Sequence, residues 1–83
     1  MGVESRSTEY LINRAQYLKE KLKAYEIMLQ SIKNLQRENK DSVAFVEAAE
    51  SAVKVLESQM KYIALRLNII ETELQKREVT AKK

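Results

Sequence analysis

Between Val46 and Leu74 the residues Val46, Ala49, Val53, Leu56, Met60, Ile63, Leu67, Ile70 and Leu74 recur in alternating steps of three and four without a break. A backbone with 3.6 residues per turn gathers such a series onto one face, whereas a strand would scatter it over two. This stretch is therefore a long amphipathic helix with one buried seam. The rest of the chain agrees. It has no proline, and its single glycine is Gly2. A β-rich fold of this length would need several tight turns, and those draw on glycine and proline.

A second series precedes the first. Leu11, Ala15, Leu18, Leu22, Tyr25, Leu29 and Ile32 alternate steps of four and three, and Ile12, Met28 and Leu35 lie beside them and are expected to widen the seam. Ser7 or Thr8 is placed to cap this helix, with Glu9 in the first turn where the helix dipole favours an acid. The wholly polar stretch Gln36 to Ser42 separates the two series. Its Asn39, Asp41 and Ser42 compete with helical hydrogen bonding and suit a turn. Asn39 can end the first helix in the left-handed conformation, and Asp41 or Ser42 can cap the second. Glu50–Lys54, Glu57–Lys61 and Glu73–Arg77 are acid-to-base pairs four residues apart, in the favoured orientation.

The expected fold is all-α: an antiparallel two-helix hairpin of coiled-coil type. Residues 1–7 form a flexible N-terminus, and 8–78 form one helical-hairpin domain. Within it helix 1 spans about 8–37, the turn about 38–41 and helix 2 about 42–78, with a flexible basic tail at 79–83. The rival is one uninterrupted helix in a long parallel rod. It requires two consecutive steps of three, from Val43 to Val46 to Ala49, which shift the register.

More apolar surface is present than one seam can hide. Ala48, Val55, Tyr62 and Ile69 repeat every seven residues outside the second seam, and Phe45 and Ala52 lie between the two rows. Tyr10, Tyr17 and Ala24 form a similar row on the first helix. A helix with so wide a stripe faces more than one neighbour, and two helices alone make a thin core. The hairpin is therefore expected to dimerise into a four-helix bundle. The interface residues are Tyr10, Tyr17, Phe45, Ala52, Val55, Tyr62, Leu65 and Ile69.

Composition excludes much chemistry. The chain contains neither histidine nor cysteine. It lacks the commonest general base, the thiol nucleophile and the usual zinc ligands. A carboxylate-bridged di-metal site in a helix bundle uses Glu-x-x-His, which cannot be built here. No glycine-rich loop is available to cradle phosphate. No catalytic residue, metal or cofactor is expected. The N-terminus lacks the apolar core of a signal peptide, and no apolar run is long enough to cross a bilayer, so a cytoplasmic protein is expected.

Charge is distributed unevenly. Residues 8–40 carry seven basic and four acidic groups, and residues 41–78 carry five basic and seven acidic. Arg14, Lys19, Lys21 and Lys23 cluster on the first helix near Tyr17 and Tyr25. Two readings remain open: a solvated helix face, or contact with a nucleic-acid backbone.

The segment Tyr10-Leu11-x-x-Arg14-Ala15-x-x-Leu18-Lys19-x-x-Leu22 resembles the last helix of microtubule-interacting-and-transport domains, over 13 residues. That resemblance implies binding of short peptide helices. In the family this helix follows two others, whereas nine residues precede Tyr10 in this chain. In architecture the expected dimer is similar to the small RNA-binding regulator of plasmid copy number and to prefoldin-type hairpins, without a shared motif. The functional expectation is a non-enzymatic, oligomerising adaptor that binds itself and other helical proteins. The alternative is a small dimeric nucleic-acid-binding regulator.

Overall fold

The computed structural model describes the backbone of residues 2–81 and the side chains of residues 2–78. A 3-10 turn at Val3–Ser5 leads into helix α1, Thr8–Glu38, and a short turn connects it to helix α2, Val43–Ala81. The two helices pack side by side as a hairpin measuring 61 × 20 × 16 Å. A single continuous helix is thereby ruled out. Among the described residues there is no strand, and no helix is long and apolar enough to cross a membrane.

Local chemistry sets the helix ends. The Ser7 hydroxyl oxygen accepts from the Tyr10 N–H at 3.1 Å, satisfying one of the free donors at the start of α1. At the other end, Asn39 gives both its backbone N–H and its side-chain amide to the Leu35 carbonyl, at 3.0 and 2.8 Å. The left-handed cap expected of Asn39 does not form, because its φ is −113°. The amide side chain meets the exposed carbonyl directly, so the backbone need not enter that region. Ser42 then starts α2, its hydroxyl oxygen accepting from the Phe45 N–H at 3.3 Å. Gln36 straps the turn by donating to the Val46 carbonyl at 3.4 Å.

Every residue of both seams is buried or half-buried. Burial is deepest at the end away from the turn, where Leu11, Ala15 and Leu18 meet Ile63, Leu67 and Ile70. Val3, Leu22, Tyr25 and Leu74 close around that cluster. Towards the turn only Ala49 is fully buried, while Leu29, Ile32, Val46 and Val53 are half-covered. Ile12, Met28 and Leu35 do not widen the seam: all three remain exposed, because each lies on a flank where two helices offer no third surface. Amide exchange should therefore be slowest around residues 11–22 and 60–74 and faster near 28–36 and 46–53. Equal protection at the two ends would contradict this uneven core.

The N-terminal segment belongs to the fold, although the sequence offers it no packing role. Val3 rests against the core, and Arg77 of α2 holds the segment's backbone. The Arg77 guanidinium donates to the carbonyls of Val3, Glu4 and Arg6 at 3.2, 3.3 and 2.7 Å, and to the Thr8 hydroxyl at 2.9 Å. Its Nε is paired with Glu73 at 2.9 Å.

Candidate functional site

The long sides of the hairpin present two chemically different faces. Residues seven apart stack along a helix, since seven residues make nearly two turns. On α1 the rows Tyr10–Tyr17–Ala24–Ser31 and Arg14–Lys21–Met28–Leu35 flank the seam on one side. On α2 the matching rows are Phe45–Ala52–Gln59–Arg66 and Ala48–Val55–Tyr62–Ile69. Antiparallel packing brings these rows onto the same face, as a recess lined by Tyr10 and Arg14 from α1 and by Arg66 and Ile69 from α2 demonstrates. We call this the front face. It carries aromatic and aliphatic side chains and three cations, and acids enter these rows one step further on, at Glu38 and Glu73.

The back face runs through Ile12, Lys19, Glu26 and Lys33 of α1 and Val43, Glu50, Glu57, Ala64 and Glu71 of α2. Lys19 and Glu71 form an ion pair across it at 3.2 Å. Both side chains are about half exposed, so the pair contributes roughly 0–1 kcal/mol. The back face is thus the more polar one, with two lysines and four glutamates among these residues, whereas the front face carries mainly apolar side chains and cations.

The sequence-expected interface residues fall mainly on the front. Tyr10, Tyr17, Val55, Tyr62 and Ile69 are exposed there, Tyr62 at 56% of its full surface, and Phe45 is exposed near the turn. Ala52 is half-buried beside the seam. Leu65 is exposed but lies on the outer side of α2, about half a turn from the seam. It does not share a surface with the others. The four cations of α1 also separate. Arg14 and Lys21 stand over the Tyr17 ring on the front, at 4.9 and 5.7 Å from its centre. Lys19 is on the back with Glu71, and Lys23 is exposed away from both seams.

Cation–ring contacts recur along the front. Arg6 lies over Tyr10 at 5.0 Å and Arg66 over Tyr62 at 5.7 Å, where Arg66 also donates to the Tyr62 oxygen at 3.2 Å. Each contact is worth about 0.5–1 kcal/mol at an exposed site. Sequence reasoning singled out neither Arg6 nor Arg66. The seven-residue row through Phe45, Ala52 and Gln59 was the available signal for Arg66. For Arg6 there was none, because its position depends on the backbone hydrogen bond to Arg77.

The front face can bind apolar and anionic groups, and the described residues hold no gathering of three or more acids suited to a metal ion. Comparison with family models, with characterised proteins and with solved structures found no match.

Proposed function

We propose that the chain is a non-enzymatic protein–protein interaction module that pairs with a second copy of itself through the front face, forming a four-helix bundle that serves as an oligomerising adaptor. The observation carrying this reading is the set of exposed apolar and aromatic rows along the front. Tyr10, Tyr17, Val55, Tyr62 and Ile69 stand exposed along it, whereas the back rows carry six charged side chains.

Areas support the choice of a second copy. The chain exposes 6446 Å², whereas a compact monomer of its 9.7 kDa exposes about 5,100 Å². That surplus, about 1,300 Å², exceeds the roughly 800 Å² per partner that a standard interface buries. A footprint of 61 by 20 Å is large enough to supply it. Two-fold pairing of identical faces is the commonest closed arrangement and leaves the charged back faces in water.

Sedimentation equilibrium at micromolar concentration should give a dimer. Replacing Tyr62 and Val55, both exposed, by glutamate should give a monomer that keeps its helical circular dichroism. A wild-type chain that stays monomeric and folded would overturn the reading. The second reading, a nucleic-acid-binding regulator, is favoured by Arg14, Lys21 and Arg66 sharing a face with tyrosines. It is the weaker one, because Lys19 and Lys23 lie off that face.

A further inference from the structure

The end of the front face farthest from the turn holds a recess of about 290 Å³. Its lining includes the deeply buried Leu11 and Ile70, with Tyr10 and Ile69 beside them. Arg6, Arg14 and Arg66, drawn from three separate parts of the chain, line it as well. None of the three arginines is in an ion pair among the described residues. The Arg14 Nε is buried without a hydrogen-bond partner. A buried donor left unsatisfied is costly, and a charged one more so. Arg6 is held in place from behind, since its carbonyl accepts from Arg77.

We infer that this recess is a binding site for a phosphomonoester carried on an aromatic or apolar body. A single arginine already satisfies both oxygens of a carboxylate in a forked pair. The Arg14 and Arg66 guanidiniums rest over the rings of Tyr17 and Tyr62, which lie outside the recess lining, and would have to swing from those rings to join Arg6 on a ligand. Three guanidiniums so gathered call for more acceptors and more charge, which the three terminal oxygens and near-double charge of a phosphomonoester supply. The Tyr10, Leu11, Ile69 and Ile70 side chains then cover the body that bears the group. The volume suits one ring and one phosphoryl group, which favours a small phosphate ester or a phosphorylated side chain and leaves an oligonucleotide as the alternative that the test decides. The recess exists within a single chain but lies on the face proposed to pair, so this inference concerns the unpaired chain, and ligand and second copy would compete for Tyr10 and Ile69.

Calorimetric titration of the full chain with phenyl phosphate tests it. Saturable one-to-one binding is expected, at least about tenfold tighter than inorganic phosphate or benzoate, which each lack half of the ligand. Arg14→Gln and Arg66→Gln should each weaken it about tenfold or more, as expected for losing a charge-assisted hydrogen bond. Arg66→Lys, which keeps the charge but not the fork, should also bind less tightly than wild type. Lys33→Gln, on the back face, should leave affinity unchanged, and circular dichroism verifies that each variant remains helical. A phosphotyrosine peptide that binds more tightly than phenyl phosphate identifies a protein-borne ligand, and equal affinity identifies a small molecule. Absence of saturation, or full affinity in both glutamine variants, would overturn the inference. So would tighter, steeply salt-dependent binding of a single-stranded oligonucleotide.

Discussion

Leu11→Ala should destabilise the chain by about 2–5 kcal/mol, the range for removing a fully buried leucine. Leu11 is 1% exposed and belongs to the six-residue cluster that forms most of the buried core. No second layer stands behind it to collapse into the cavity, because the hairpin is two helices thick. Ile12 makes the control, being the next residue and 55% exposed. Ile12→Ala should change stability by no more than about 0.5 kcal/mol, as surface substitutions do. Urea unfolding of the two variants at one protein concentration measures the difference; the concentration must be fixed because association shifts apparent stability. In a domain of this size each kcal/mol moves Tm by roughly 4–8 °C, so the pair should separate clearly. Similar losses for both would mean that the seam is not the source of stability.

The second large effect is expected at Arg77. Arg77→Met keeps most of the side chain's apolar length and removes the guanidinium. The change strips the partner from Glu73, whose side chain is 12% exposed, and frees the carbonyls of Val3, Glu4 and Arg6. We expect a loss of about 2–3 kcal/mol, between the value for one charged hydrogen bond and that for a broken buried pair. The 3-10 turn should detach, so the amides of Ser5 and Arg6, which donate to the Gly2 and Val3 carbonyls, should exchange rapidly. High salt should not reproduce this loss, because partly buried pairs are screened far less than exposed ones such as Lys19–Glu71. A loss below about 0.5 kcal/mol, in the range of ordinary surface changes, would mean that Arg77 does not anchor the N-terminal segment.

The contrast between these two residues shows what a linear sequence carries. Leu11 is legible because it is one beat of a repeating pattern, and a pattern needs no knowledge of the partner helix. The same holds for Ile63, Leu67 and Ile70. Arg77 was legible only as a cation near a helix end with Glu73 four residues before it. Its bonds to Val3 and Thr8 span 74 and 69 residues and leave no periodic trace. The front face was partly legible. Its rows were readable one helix at a time, but grouping Tyr10 with Ile69, or removing Leu65 from the set, required knowing how the two helices face one another. Lys19 illustrates the same limit: it reads as one of four clustered cations until α2 places Glu71 beside it.

The turn has a consequence of its own. No described residue has a positive φ, and the connection at 39–42 contains neither glycine nor proline. It is held by hydrogen bonds, from Asn39 to Leu35 and from Ser42 to Asn39, and not by a steric lock. Were those bonds and the Gln36–Val46 strap to open, the backbone chemistry of these four residues would not bar a straight connection. In concentrated solution α2 of one molecule can then occupy the place of α2 in another, remaking every seam contact between chains. Swapping is thus an expected outcome at high concentration, and a dimer that exchanges with monomer only as fast as the hairpin opens would reveal it.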